Sequence, residues 1–226
     1  MPAVQWAYDV ARHVFVNTRT GKALTAREMV TIRDAFVASR QEYVRALVER
    51  YVAGALSQAE LSAALRAATA ETITALAVIG AGGVDRSGAL GSAFLDVLES
   101  QLQRQVPFMD EFMAQVLADT VSPDQIANRA GMYQESAIQA YEQASAVDVG
   151  INLPYWPGDW QTECKAGCRC AWIIDTVYEG DDEVTYATWQ TEEDGNVCDD
   201  CQARADDWQH VEVNRIAGAA PKVGTE

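Results

Sequence analysis

The sequence predicts an α+β protein: a mainly α-helical N-terminal bundle followed by a small β module. Three observations predict it. Apolar residues recur at three- and four-residue spacing through most of the first 147 positions. The pattern then gives way to short alternating runs rich in proline, tryptophan and acid. All five cysteines fall within that second region. A chain of 226 residues is long enough to bury a substantial core without staples in its larger part.

Taken in order, Trp6 to Lys22 alternates loosely, with Val14 and Val16 beside His13 and Asn17, and reads as an arm or short hairpin within residues 1–23. A helical bundle is expected over residues 24–147. Thr25 and Glu28 form a capping box, in which a hydroxyl and a carboxylate satisfy the orphan amides of a helix start. The helix they open carries Met29, Ile32, Phe36, Tyr43, Leu47 and Tyr51 on one stripe, with Val30, Val37, Val44, Val48 and Val52 beside it, and ends near Gly54. Ser57 and Glu60 repeat the box before Leu61, Leu65, Ala68, Thr72, Leu76 and Ile79. The run Gly80-Ala81-Gly82-Gly83 reads as a terminating turn and not a phosphate loop, because Val84-Asp85-Arg86 follows where Gly-Lys-Ser/Thr is needed.

A third helix is expected from about Ser87 to Asp119 through Phe94, Leu98, Leu102, Met109, Phe112, Val116 and Leu117, kinked or divided at Pro107. Ser122-Pro123-x-Gln125 starts a fourth, whose stripe of Ile126, Ala130, Tyr133, Ala137, Tyr141 and Ala144 reaches Ala146. From residue 148 to 213 the chain reads as the β module. Cys170, Trp172 and Ile174 share one strand face, and Val184, Tyr186 and Thr188 lie on the antiparallel partner across Glu179-Gly180-Asp181-Asp182. Residues 214–226 read as a flexible tail.

Charge narrows the function. The chain carries 33 acids against 17 bases, a formal charge of −16, of which −11 lies from Ile151 onward and −5 before it. Such a surface repels phosphates, so sequence-specific nucleic-acid binding is not expected. No segment approaches the roughly 18 uninterrupted apolar residues of a membrane span, and no membrane partner is expected. The acid clusters Asp181-Asp182-Glu183 and Glu192-Glu193-Asp194 fit no EF-hand spacing and read as solvated turns.

The cysteines form two groups: Cys164, Cys168 and Cys170, then after 27 residues Cys198 and Cys201. Two close-set groups that a hairpin can join are the two halves of a thiolate metal site, with zinc as the default ion. A β module of this size is marginal on burial alone, and a zinc–thiolate cluster supplies folding energy directly. The expected ligands are Cys164, Cys168, Cys198 and Cys201, with Cys170 packed beside Trp172 or substituting for one of them. Four thiolates close the coordination shell, which argues for a structural Zn2+ and against catalysis. His210-Val211-Glu212 matches a deaminase His-x-Glu, but it follows the Cys-x2-Cys pair and no proline precedes Cys198. His210 as the base for a cysteine nucleophile is disfavoured by the surrounding acids.

Several segments carry a resemblance: Tyr51-Val-Ala-Gly-Ala-Leu-Ser, Gln103-Arg-Gln-Val-Pro-Phe-Met-Asp-Glu-Phe, Arg129-Ala-Gly-Met-Tyr, Leu153-Pro-Tyr-Trp-Pro-Gly-Asp and Cys168-Arg-Cys. From about Trp6 to Val213 the chain resembles the minor head, or head morphogenesis, proteins of tailed bacteriophages of the Mu type. In many of these the Cys-x2-Cys pair precedes Cys-Arg-Cys; here it follows. The resemblance implies a non-catalytic virion component that associates with the portal or the major capsid protein during head assembly. It would be made in the host cytoplasm, end in the virion head and form an oligomer around the portal. The alternatives are a zinc-dependent enzyme built on the cysteine cluster, of nuclease or deaminase kind, and a non-viral intracellular zinc adaptor.

Overall fold

The computed structural model describes residues 5–118, 120–159, 161–164, 168–179, 182–191 and 197–215. It opens on a hairpin, β1 (Trp6–Asp9) and β2 (Val14–Asn17), paired antiparallel with Trp6 opposite Asn17. Asp9 makes the turn by accepting the amides of Ala11 and Arg12. Phe15 packs edge-on against Trp6 and Tyr8 and reaches the bundle core. The hairpin is fastened by Tyr8, whose ring lies so close to Gly83 that a Cβ there would sit 2.3 Å from it. Gly83 also has φ of +119°, so glycine is needed twice over.

The bundle follows. Helix α1 (Ala26–Val52) and helix α2 (Gln58–Gly80) both begin with the expected capping boxes; in α1 the Glu28 amide donates to Thr25 Oγ1 at 3.2 Å and the Thr25 amide to the Glu28 carboxylate at 2.8 Å. The α2 stripe from Leu61 to Ile79 is buried throughout. By length and composition α2 could cross a membrane, but it packs on neighbouring helices on several sides, the position of a central bundle helix. Gly80 lets it approach α6 (Ile138–Val149) closely: a Cβ at Gly80 would fall 2.2 Å from the Tyr141 carbonyl oxygen. On α1 the apolar face is narrower than its sequence suggests. Tyr43 and Val52 are exposed, and the Arg40 guanidinium lies over the Tyr43 ring.

Two expected helices each prove to be a pair. The third is α3 (Val84–Leu90) and α4 (Ser92–Leu117), separated at Gly91, whose φ of +56° leaves the helical region. Pro107 remains inside α4 without dividing it, and Leu117 is exposed. The fourth is α5 (Pro123–Ser136) and α6, separated at Ala137, with the expected Ser122–Gln125 cap at the start and left-handed Gly150 at the end. Two cores result. One gathers Val37, Ile73, Leu76, Phe94, Val97, Ile138 and Tyr141; the other gathers Val44, Leu61, Leu65, Phe112, Val116 and Ile126.

The C-terminal third is a three-stranded antiparallel sheet in the order β3 (Ala171–Glu179), β4 (Asp182–Gln190), β5 (Val211–Glu212). Trp172 pairs with Trp189 and Ile174 with Ala187. The inward face of β4 is therefore Thr185, Ala187 and Trp189, and Val184, Tyr186 and Thr188 lie on the outer face, one residue out of step with the stripe the sequence offers. Between β4 and β5 runs helix α7 (Asp199–Asp207), which sequence periodicity did not reveal. Ala146 and Val149 of α6 belong to the core of this module, together with Ile151, Leu153, Trp172 and Trp189. The last turn of α6 is thus shared between bundle and sheet. Arg215 is tied down, bridged to Ile151 and donating to the Val149 carbonyl at 3.0 Å and to Glu183 at 2.9 Å. The rest of the expected tail, residues 216–226, lies outside the described residues, as do Lys165 to Gly167 and the cluster Glu192-Glu193-Asp194.

Candidate metal centre

All five cysteines meet at one end of the module core. Three elements deliver them. Cys164 comes from the segment leading into the sheet, Cys168 and Cys170 from the residues that enter β3, and Cys198 and Cys201 from the N-cap and first turn of α7. An α-helix places residues three apart on one face, so Cys198 and Cys201 point the same way.

The sulfurs of Cys164, Cys168 and Cys201 all lie within 4.8 Å of one another, an arrangement that could hold a metal ion. Cys164 Sγ is 3.4 Å from Cys201 Sγ, Cys168 Sγ is 3.7 Å from Cys201 Sγ, and Cys198 Sγ is 3.2 Å from Cys164 Sγ. Cys170 packs in the same buried cluster. Cys168, Cys170 and Cys201 are buried; Cys164 and Cys198 are partly so. None forms a disulfide. In this company the thiols compete for protons. Hydrogen bonds from Cys170 and Cys201 hold Cys168 below the usual thiol range, while donation to Cys168 pushes Cys201 up and Cys170 up to about 12.

Around the thiols is an aromatic wall. Trp172 packs on Trp189 and Trp208 edge-on at 5.0 and 5.1 Å, and Tyr155 stacks on Trp172 at 5.7 Å. The Arg204 guanidinium lies over the Tyr155 ring at 3.9 Å. The Trp172 indole donates to the Tyr155 carbonyl at 2.9 Å.

The centre is also joined to the bundle, through residues that the sequence did not single out. Arg33 of α1 and Glu142 of α6 form an ion pair in which both side chains are 0% exposed. The Arg33 guanidinium reaches the Cys170 carbonyl at 3.4 Å, and Glu142 accepts the Trp172 amide at 3.2 Å. Burial pushes the Glu142 carboxyl up to about 7 against the pull of Arg33 and that amide. The signal was present: Arg33 stands one turn from Met29 and from Val37 on an otherwise apolar stripe. A charge at such a position announces a buried partner.

His210 does not join the thiols. It stacks on Tyr186, centroids 4.1 Å apart, on the sheet face opposite Trp189 and the cysteines. The alternative of His210 as catalytic base therefore has no geometric support. Among the described residues the group of potential metal ligands at the centre consists of thiols, and the Thr162 hydroxyl lies 3.5 Å from Cys164 Sγ. Comparison with protein-family models, curated proteins and solved structures finds no match to this chain.

Proposed function

We propose that the protein is a non-catalytic assembly component, a minor head protein of a tailed bacteriophage, whose cysteine centre holds one structural Zn2+. The observation that carries the metal reading is the convergence of thiols from separate parts of the chain. A tetrahedral zinc site with Zn–S bonds of about 2.3 Å has S···S edges of about 3.8 Å. The sulfur separations of 3.2 to 3.7 Å are close to such edges, and modest relaxation about an ion accommodates them. The ligands assigned are Cys164, Cys168, Cys198 and Cys201. A closed thiolate shell leaves no coordination position for substrate, which favours folding over chemistry. When bound, the ion fixes the approach to β3 against the start of α7.

The viral assignment rests on the sequence resemblance, and the acidic module on a helical bundle is consistent with it. A strongly anionic surface suits docking to basic protein surfaces of a portal or capsid and disfavours the packaged nucleic acid. Two experiments test the two parts. Elemental analysis of protein purified without added metal is expected to give about one zinc per chain; metal-free protein with five titratable thiols would overturn the centre. Mass spectrometry of purified particles from the encoding phage is expected to find the chain at low copy. Particles of normal composition and infectivity formed without it would overturn the role.

A further inference from the structure

We infer that the groove between α2 and α4, with the apolar row that continues it along α4, is a docking surface for a basic amphipathic helix of a partner protein. Neither the thiols nor a virion role is needed for it. Leu95, Val106 and Leu117 are 60%, 50% and 66% exposed. Each stands eleven residues from the next, so they return to one side of α4 at steps of about 16 Å. Leu98, Leu102, Met109 and Met113 complete the stripe at three- and four-residue spacing, half-buried or buried on its inner edge. The inner edge belongs to the bundle cores, and the outer edge meets water from one end of the helix to the other.

At its C-terminal end the row opens into a groove of about 470 Å³, lined by Ala59, Ser62 and Ala63 of α2 and by Met113 and Leu117 of α4. Gln58 stands at one end, donating to the Val116 carbonyl at 2.7 Å, and the Arg66–Asp110 ion pair stands at the other. Small side chains on α2 let a third helix approach closely and set its own large residues beside Leu117. A surface some three turns by three turns long, about 33 Å from Leu95 to Leu117, fits an elongated helix with apolar anchors at three- and four-residue spacing.

Charge selects the partner. Helix α4 carries four acids against one base. Asp96, Glu99 and Asp110 are exposed beside the row, whereas the base, Arg104, donates to Gln139 at 2.6 Å and to the Asp159 carbonyl at 3.2 Å. Arg66, the cation that lines the groove, is already held by Asp110. A helix with an apolar face and lysine or arginine along its edge complements both properties. A second copy of this chain does not, because antiparallel pairing about Val106 sets Glu99 of one copy near Asp110 of the other, and like charges there repel.

Two synthetic peptides of about 18 residues test this, a leucine/lysine amphipathic helix and its leucine/glutamate counterpart, titrated against the full chain in about 0.15 M salt with fluorescence anisotropy as the readout. The lysine peptide is expected to saturate at one per chain and the glutamate peptide not to bind. Val106→Lys with Leu117→Lys is expected to weaken binding about tenfold or more, the equivalent of about 1.4 kcal/mol. Val177→Lys with Tyr178→Lys makes the same charge change at exposed apolar positions of the sheet and is expected to bind as the wild type does. Equal weakening by both pairs would mean general attraction to an anionic chain and overturns the inference, as does the absence of saturable binding. On the unmutated chain, the lysine peptide is expected to slow hydrogen exchange in residues 58–66 and 106–117; protection confined to the β module overturns it. Sedimentation that shows a wild-type dimer, dissolved by Val106→Lys with Leu117→Lys, gives the surface to a second copy and overturns the partner assignment.

Discussion

Arg33 and Glu142 show how one pair of residues joins two parts of the molecule. Each is 0% exposed, and each also touches the backbone that enters β3. Desolvating two charges is costly, and their attraction with the added backbone hydrogen bonds offsets that cost only while both are present. Glu142→Ala leaves the Arg33 cation buried with its main partner gone, and a loss of about 3–5 kcal/mol is expected in chemical denaturation. Replacing both, as Arg33→Met with Glu142→Leu, is expected to cost far less. If the two single losses simply add in the double variant, the pair is not coupled. The five thiols are the other residue-scale feature. Their convergence was legible as spacing, but the choice among them belongs to distances that spacing does not contain.

Among the elements, the capping boxes were fully legible, since a cap is made by residues three apart in sequence. Thr25→Ala is expected to cost about 1 kcal/mol in thermal or denaturant unfolding. The box also predicts a pH dependence. Hydrogen bonds from the Thr25 amide and hydroxyl hold Glu28 below its usual 4.5 in the folded state. A folded value below the unfolded one means the contribution is full above 4.5 and is lost as pH falls through the lowered value. The cost of Thr25→Ala is therefore expected to be larger at about pH 6 than at about pH 3. An equal cost at both would show that the carboxylate takes no part. The breaks at Gly91 and Ala137 were not legible. The apolar period runs through both sites, so periodicity alone does not mark them. Pro107 shows the reverse, a strong local signal that α4 absorbs within a continuous helix.

For the whole molecule, the bundle has two cores of its own and the module has a third that holds Trp172, Trp189 and the buried thiols. On the proposed metal reading, treatment with a chelator is expected to red-shift tryptophan emission while most of the far-ultraviolet helical signal remains. Simultaneous loss of both signals would mean that bundle and module unfold as one cooperative unit. The shared last turn of α6 and the Arg33–Glu142 pair set how closely the two follow each other.

The sequence by itself determined the helical first part, the starts of α1, α2 and α5, the β hairpin of the module and the presence of a cysteine centre, because each is written in residues near one another along the chain. Tertiary structure decided the rest. It put Arg33 beside Glu142 across 109 positions, turned the inner face of β4 to Thr185, Ala187 and Trp189, folded α7 between two strands and brought five thiols to one point. The physical reason is common to all four. Burial of a charge, the choice of a strand face and the meeting of ligands depend on which surfaces are excluded from water together, and that is a property of packing between segments and not of any one of them.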